Sequence, residues 1–135
     1  MPPITPEGTP MPFNLASGAE GDRPVVDVRV LEELVGSEPE VIADFLAQYR
    51  ASARSLGADL RAARDAGDLA AIAGAAHKLK SASRAIGALA LGDLSAALEQ
   101  AARAQQSETV LSLLPSFDLA FAAVERTIAQ HLAAS

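Results

Sequence analysis

Residues 69 to 87 read LAAIAGAAHKLKSASRAIG. Leu69, Ile72, Ala76, Leu79, Ser83 and Ile86 recur at steps of 3, 4, 3, 4 and 3, so one helical face gathers every bulky apolar side chain of the stretch. Asp68 precedes the first of them as a ready N-cap, and Gly87 follows the last as a stop or bend. At 100° per residue, His77 points about 130° from the centre of that apolar face, toward solvent. Its strip neighbours Ala70, Ala73, Gly74 and Ser81 are all small, and Lys80 and Arg84 follow one and two turns later. This spacing predicts an amphipathic helix with a lone imidazole on its wet side.

The same period extends outward in both directions. Asp27 is placed to cap a short helix through Val35 that stops at Gly36. Ser37 is expected to cap a long second helix, with Pro39 near its first turn and Glu40 three residues on, a capping-box spacing. Its apolar positions are Ile42, Phe45, Leu46, Tyr49, Leu56, Leu60 and Ala63, and it should end near Gly67. A fourth stretch carries Leu91, Leu94, Leu98 and Ala101; the last carries Val110, Leu114, Phe117, Phe121, Val124 and Ile128. Pro115 is expected to break or kink that final element. No alternating strand pattern competes. The expected fold class is all-α, an antiparallel up-down four-helix bundle with a short additional N-terminal helix.

Composition narrows the function. The chain has 135 residues, with 17 Asp+Glu against 11 Lys+Arg for a formal charge of -6, and no cysteine. That length suits one domain. Disulfides, iron–sulfur clusters and thiolate zinc sites are excluded. The acidic balance argues against a nucleic-acid partner, which would call for a basic face. No uninterrupted run of 18 apolar residues occurs and no basic–apolar leader opens the chain, so direct membrane contact is not expected and the expected location is cytoplasmic. Six of the eight prolines fall within the first 24 residues, so residues 1–23 read as a flexible Pro/Gly-rich tail or linker, and residues 24–135 as the domain.

An exposed imidazole beside cations suits one chemistry in particular. Neutral imidazole is a good nucleophile toward phosphorus, with an unperturbed pKa of about 6.5. A phosphoryl group on His77 would carry negative charge that Lys80 is placed to stabilise. Between Leu69 and Gly92 no acidic residue offsets Lys78, Lys80 and Arg84. Small neighbours let a second protein close around the ring. An isolated exposed histidine on a helix is more often an ordinary surface residue, and periodicity alone does not decide between the two.

The string from Ala75 to Ala88 resembles the signature of histidine-containing phosphotransfer (HPt) domains. His77, Leu79, Lys80, Ile86, Gly87 and Ala88 stand where that signature has its fixed residues, and Leu94, Leu98 and Glu99 continue it on the next helix. The resemblance spans about Val25 to Leu132. It implies His77 as phospho-acceptor and Lys80 as the phosphate-stabilising cation; the small neighbours Ala73, Gly74 and Ser81, with Arg84 flanking them, are the expected docking positions. It also implies a multistep His–Asp phosphorelay in which response-regulator receiver domains and a hybrid sensor kinase are partners. The receiver would bring the Mg²⁺, and this chain would need no cofactor or metal of its own. Ser81 departs from the glycine that usually follows the lysine.

No Gly-rich phosphate loop is present, so the chain reads as a phosphoryl carrier without an ATP site, either standing alone as a monomer or forming the C-terminal part of a hybrid kinase. A histidine-kinase dimerisation helix would place an acid after the histidine, where Lys78 stands. His131 lies 54 positions from His77, without metal-ligand spacing. Arg50, Arg54, Arg61 and Arg64 read as a solvated face, and Tyr49 and the phenylalanines as packing. The competing reading is a non-catalytic helical adaptor or inhibitory domain that binds a receiver or enzyme without transferring phosphate.

Overall fold

The computed structural model describes residues 23–134; the expected tail lies almost wholly outside them. Among the described residues there are five helices and no strand: α1 (Val28–Val35), α2 (Pro39–Ala66), α3 (Leu69–Ala85), α4 (Leu89–Arg103) and α5 (Ser107–Ala134). Each long helix packs on the next, α5 closes back onto α2, and α1 lies against α2 and α3. Cross-helix pairs give the directions. Arg50 meets Glu125, Gly57 faces Phe121 and Arg64 meets Asp118, so α2 and α5 run oppositely. His77 meets Glu99 and Arg84 meets Asp93, so α3 and α4 do too.

The helix ends follow from local chemistry. Asp27 and Asp68 cap α1 and α3, accepting from the Arg29 and Ala71 amides. Gly67 and Gly87 adopt φ of 66° and 84°, the left-handed form that lets the following amide reach back to the carbonyl five residues before it. The α4–α5 turn uses the same paired bonds, from Gln105 to Ala102 and from Gln106 to Ala101. Here the left-handed residue is Gln105, at φ 59°, so no glycine announces this turn. α2 begins one residue later than its serine suggests. Its N-cap is Glu38, without a side-chain cap bond, and Pro39 supplies the preset φ of the first turn.

Small residues set the interhelical distance. Ala73, Ala76, Ala88, Ala101 and Ala102 are all buried, and a Cβ on Gly92 would run into the Arg84 side chain, so α3 and α4 lie close together. Leu31, Leu46, Leu79, Leu91, Leu98 and Ile128 fill the centre. The Tyr49 hydroxyl and Ser83 Oγ lie 2.9 Å apart inside it, which satisfies two polar groups at once.

Three further expectations need correction. Pro115 does not interrupt α5, which is one continuous helix. Leu111 and Pro115 both lie on its solvent side, so the carbonyl that loses its donor faces water while Leu114 and Phe117 anchor the opposite side. Phe45 is 42% exposed at the rim of α2 rather than packed in the core. The α2 arginines are not simply a solvated face. Arg50 and Arg54 converge on Glu125 at 2.7 and 2.9 Å, and Arg64 pairs with Asp118 at 3.4 Å, which fastens α2 to α5. Burial pushes the Glu125 carboxyl up, but the bonds from Arg50 and Arg54 outweigh it and leave it below its usual value.

α5 is also long and apolar enough, by length and composition, to cross a membrane, although only a minority of its residues are buried in the bundle. Val110, Leu114, Phe117, Val124 and Ile128 account for its core side.

The turns yield opposite predictions. A Cβ on Gly87 meets the Asp27 backbone as well as the positive φ, so Gly87→Ala should lower stability by more than about 2 kcal/mol. Gln105→Gly relieves a positive φ and should raise stability by up to about 1 kcal/mol. Chemical denaturation of both variants checks the pair, and equal effects would contradict the assignment.

Candidate functional site at the α3–α4 face

His77 stands in the middle of α3 with its side chain 53% exposed, on the wet side as its register requires. Its ring is not alone. Nδ1 lies 3.0 Å from Glu99 Oε2, a carboxylate that α4 carries in from 22 residues away. The same oxygen accepts from Arg103 Nε at 2.9 Å, and Glu99 Oε1 pairs with Lys80 Nζ at 2.9 Å. Glu99 is only 8% exposed. Hydrogen bonding from Lys80 is the main influence on its carboxyl, and bonds from Arg103 and His77 add to it. Together they overcome the upward push of burial and hold it down at about 2.

That ionisation fixes the ring. A carboxylate only accepts hydrogen bonds, so the proton between Glu99 and His77 belongs to Nδ1. In the neutral imidazole the lone pair therefore sits on Nε2, on the ring edge away from Glu99. A buried, charge-balanced carboxylate thus orients a half-exposed imidazole.

The remaining candidate positions divide. Gly74 and Ser81 are exposed on the histidine strip, and nothing lies within 4 Å of where a Gly74 Cβ would stand. Ala73 is only 2% exposed, so it is no part of the open strip. It sits on the Lys80 side of the helix, where α4 packs, and serves the close α3–α4 approach instead. Lys80 and Arg84 are turned toward α4, onto Glu99 and Asp93 at 2.9 and 3.3 Å. The expectation of a purely cationic surround is therefore corrected, since α4 supplies the acids that α3 lacks.

Glu99 and Arg103 received no role from sequence reasoning. A signal was present. Gly92, Ser95, Glu99 and Ala102 share the buried register of α4, which puts a carboxylate where a small or apolar residue is the norm, and Arg103 follows it at i+4.

Residues 44–132 match the Hpt domain family. The chain belongs to that family. Among solved structures it is similar to histidine-containing phosphotransfer protein B (HptB) from Pseudomonas aeruginosa PAO1. The two share 27% identity at a TM-score of 0.75, over 83% of this chain and 97% of that one. No curated protein matches. Hpt domains act in histidine phosphotransfer within phosphorelays and interact with response-regulator receiver domains, and the helical architecture here is theirs.

The Glu99 carboxyl makes acid stability testable. Its folded pKa lies below the ordinary carboxyl value, so its contribution is fully present above about pH 4.5 and is lost as pH falls toward about 2. Glu99→Gln should be less stable than the parent at pH 7, and the gap should narrow across that window. Denaturant midpoints at several pH values measure it; a constant gap would remove Glu99 as the source.

Proposed function

We propose that this Hpt domain carries a phosphoryl group on Nε2 of His77 and exchanges it with the aspartate of a receiver domain in a multistep His–Asp relay. The observation that supports this most is the Glu99–Nδ1 bond, because it presents Nε2 as the lone-pair nitrogen on a half-exposed ring. In the forward step Nε2 attacks the phosphorus of the receiver's acyl phosphate. The N–P bond forms as the P–O bond to the aspartate breaks, and the carboxylate leaves with the electron pair. Mg²⁺ held by the receiver would neutralise charge on the transferring group. Nδ1 keeps its proton throughout, and Glu99 balances the positive charge that builds on the ring.

Lys80 follows His77 by about one helical turn, and its ammonium would share its charge between Glu99 and the phosphoryl oxygens. Gly74 and Ser81 form the low ground on which the receiver rests. Arg84 flanks it through its half-exposed side chain. The contact would be modest and transient. A hybrid sensor kinase is the fitting upstream donor, and the relay would operate in the cytoplasm.

Two experiments test this reading. Incubation with a phosphorylated receiver should place label on the chain in acid-labile, base-stable form. His77→Gln should abolish that label while keeping the helical fold, with at most a small fall in melting temperature from the lost bond to Glu99; label that persists would assign the chemistry to another residue. Gly74→Gln separates docking from folding. Helix propensity favours glutamine by roughly 0.5 kcal/mol or more and the space is open, so stability should rise slightly. Transfer should nonetheless slow by about tenfold or more, since the new side chain stands one turn from the ring. Unchanged transfer kinetics would take Gly74 out of the docking surface.

A further inference from the structure

The outer face of α5 is unusually bare of charge for a chain of net charge -6. Between Thr109 and Val124 the only charged residue is Asp118, and it is paired with Arg64. Leu111 and Leu119 are 62% and 75% exposed, among the few large apolar side chains that the bundle leaves in solvent. Pro115 and Ala122 lie exposed on the same stripe. At 100° per residue, Glu108, Leu111, Pro115, Leu119, Ala122 and Arg126 all fall within about 40° of one direction. The apolarity of α5 therefore exceeds what its core side requires.

The order of residues along this stripe is self-complementary. Two α5 helices laid antiparallel about a two-fold axis at Pro115 bring Leu111 of each copy against Leu119 of the other, and Pro115 against Pro115. Arg126 then lies one helical turn beyond the residue facing Glu108 of the second copy, within reach of its carboxylate. Two-fold symmetry forms that ion pair twice. Glu108 and Arg126 are both exposed, and neither has an ion pair among the described residues. The arrangement thus has an apolar centre and complementary charges at each end.

We propose that this face binds a second copy of the same chain, through an antiparallel α5–α5 contact centred on Pro115. Where the sequence alone suggests a monomer, this contact would add a dimer at high concentration. One helix face per copy is smaller than a standard stable interface of about 800 Å² per partner, so the dimer is weak and depends on concentration. α5 packs on α4 and α2, whereas His77 is carried by α3, so both histidine faces stay open in the dimer.

The chain has no cysteine, which makes single-cysteine variants clean probes. Sedimentation equilibrium of the full chain from about 10 μM to about 1 mM should show the average mass rising toward that of a dimer. Leu119→Glu should hold the chain monomeric across that range with unchanged helicity. Arg126→Glu should weaken association about fivefold or more, and adding Glu108→Arg should restore it. Pro115→Cys should form an intermolecular disulfide faster than Ala58→Cys, an exposed control on α2. A monomer at every concentration would overturn the proposal, as would association that Leu119→Glu leaves intact or equal cross-linking at the two cysteine positions. A monomer in which Leu119→Glu instead weakens receiver binding would overturn it as well, by giving the face to another partner. Phosphotransfer to His77 is read separately and does not depend on the outcome.

Discussion

Three positively polarised groups on two helices meet at the Glu99 carboxylate, and the candidate site depends on that meeting. Lys80 and His77 come from α3, while Arg103 comes from Glu99's own helix. A carboxylate this deeply placed would be costly if it were unpaired. Here each oxygen has at least one donor, so the charge is held and the imidazole gains a fixed tautomer. The tight α3–α4 packing around Ala73, Ala76, Ala101, Ala102 and Gly92 is what brings the donors into range. Larger side chains at those positions would push the helices apart and separate the ring from its acid.

The rest of the bundle serves to hold that pair of helices. Arg50 and Arg54 on Glu125 and Arg64 on Asp118 fasten α2 to α5 on the far side. α1 closes the end nearer the α3–α4 turn, where the Asp27 amide donates to the Gly87 carbonyl at 2.9 Å. Such partly exposed ion pairs contribute little individually, so the apolar centre around Leu46, Leu79, Leu98 and Ile128 supplies most of the stability. Function then needs only a thin layer on one face. His77, the Glu99 carboxylate that orients its ring and the small exposed residues beside them all lie on α3 and α4, apart from the outer face of α5.

Local signals in the chain carried a large part of this structure. Asp27, Gly36, Gly67, Asp68 and Gly87 marked boundaries because capping and left-handed φ are decided within a few residues. Where a boundary lacks such chemistry, the local signal is missing. Gln105 adopts a glycine-like φ without being glycine, and the start of α2 has no side-chain cap to reveal it. Pro115 misled in the other direction. Its cost is met by solvent on one side and core contacts on the other, neither of which is visible in a local window.

By itself, then, the sequence determined the all-helical class, the exposure of His77 and the resemblance of its surroundings to a phosphotransfer signature. These depend on period, capping and composition, which act over one or two helical turns. Helix packing is what places Glu99 against the ring, buries Ala73 and joins the α2 arginines to α5. Each of those depends on which helix lies beside which and how closely. That is set by the packing of the whole core, and no short stretch of the chain contains it.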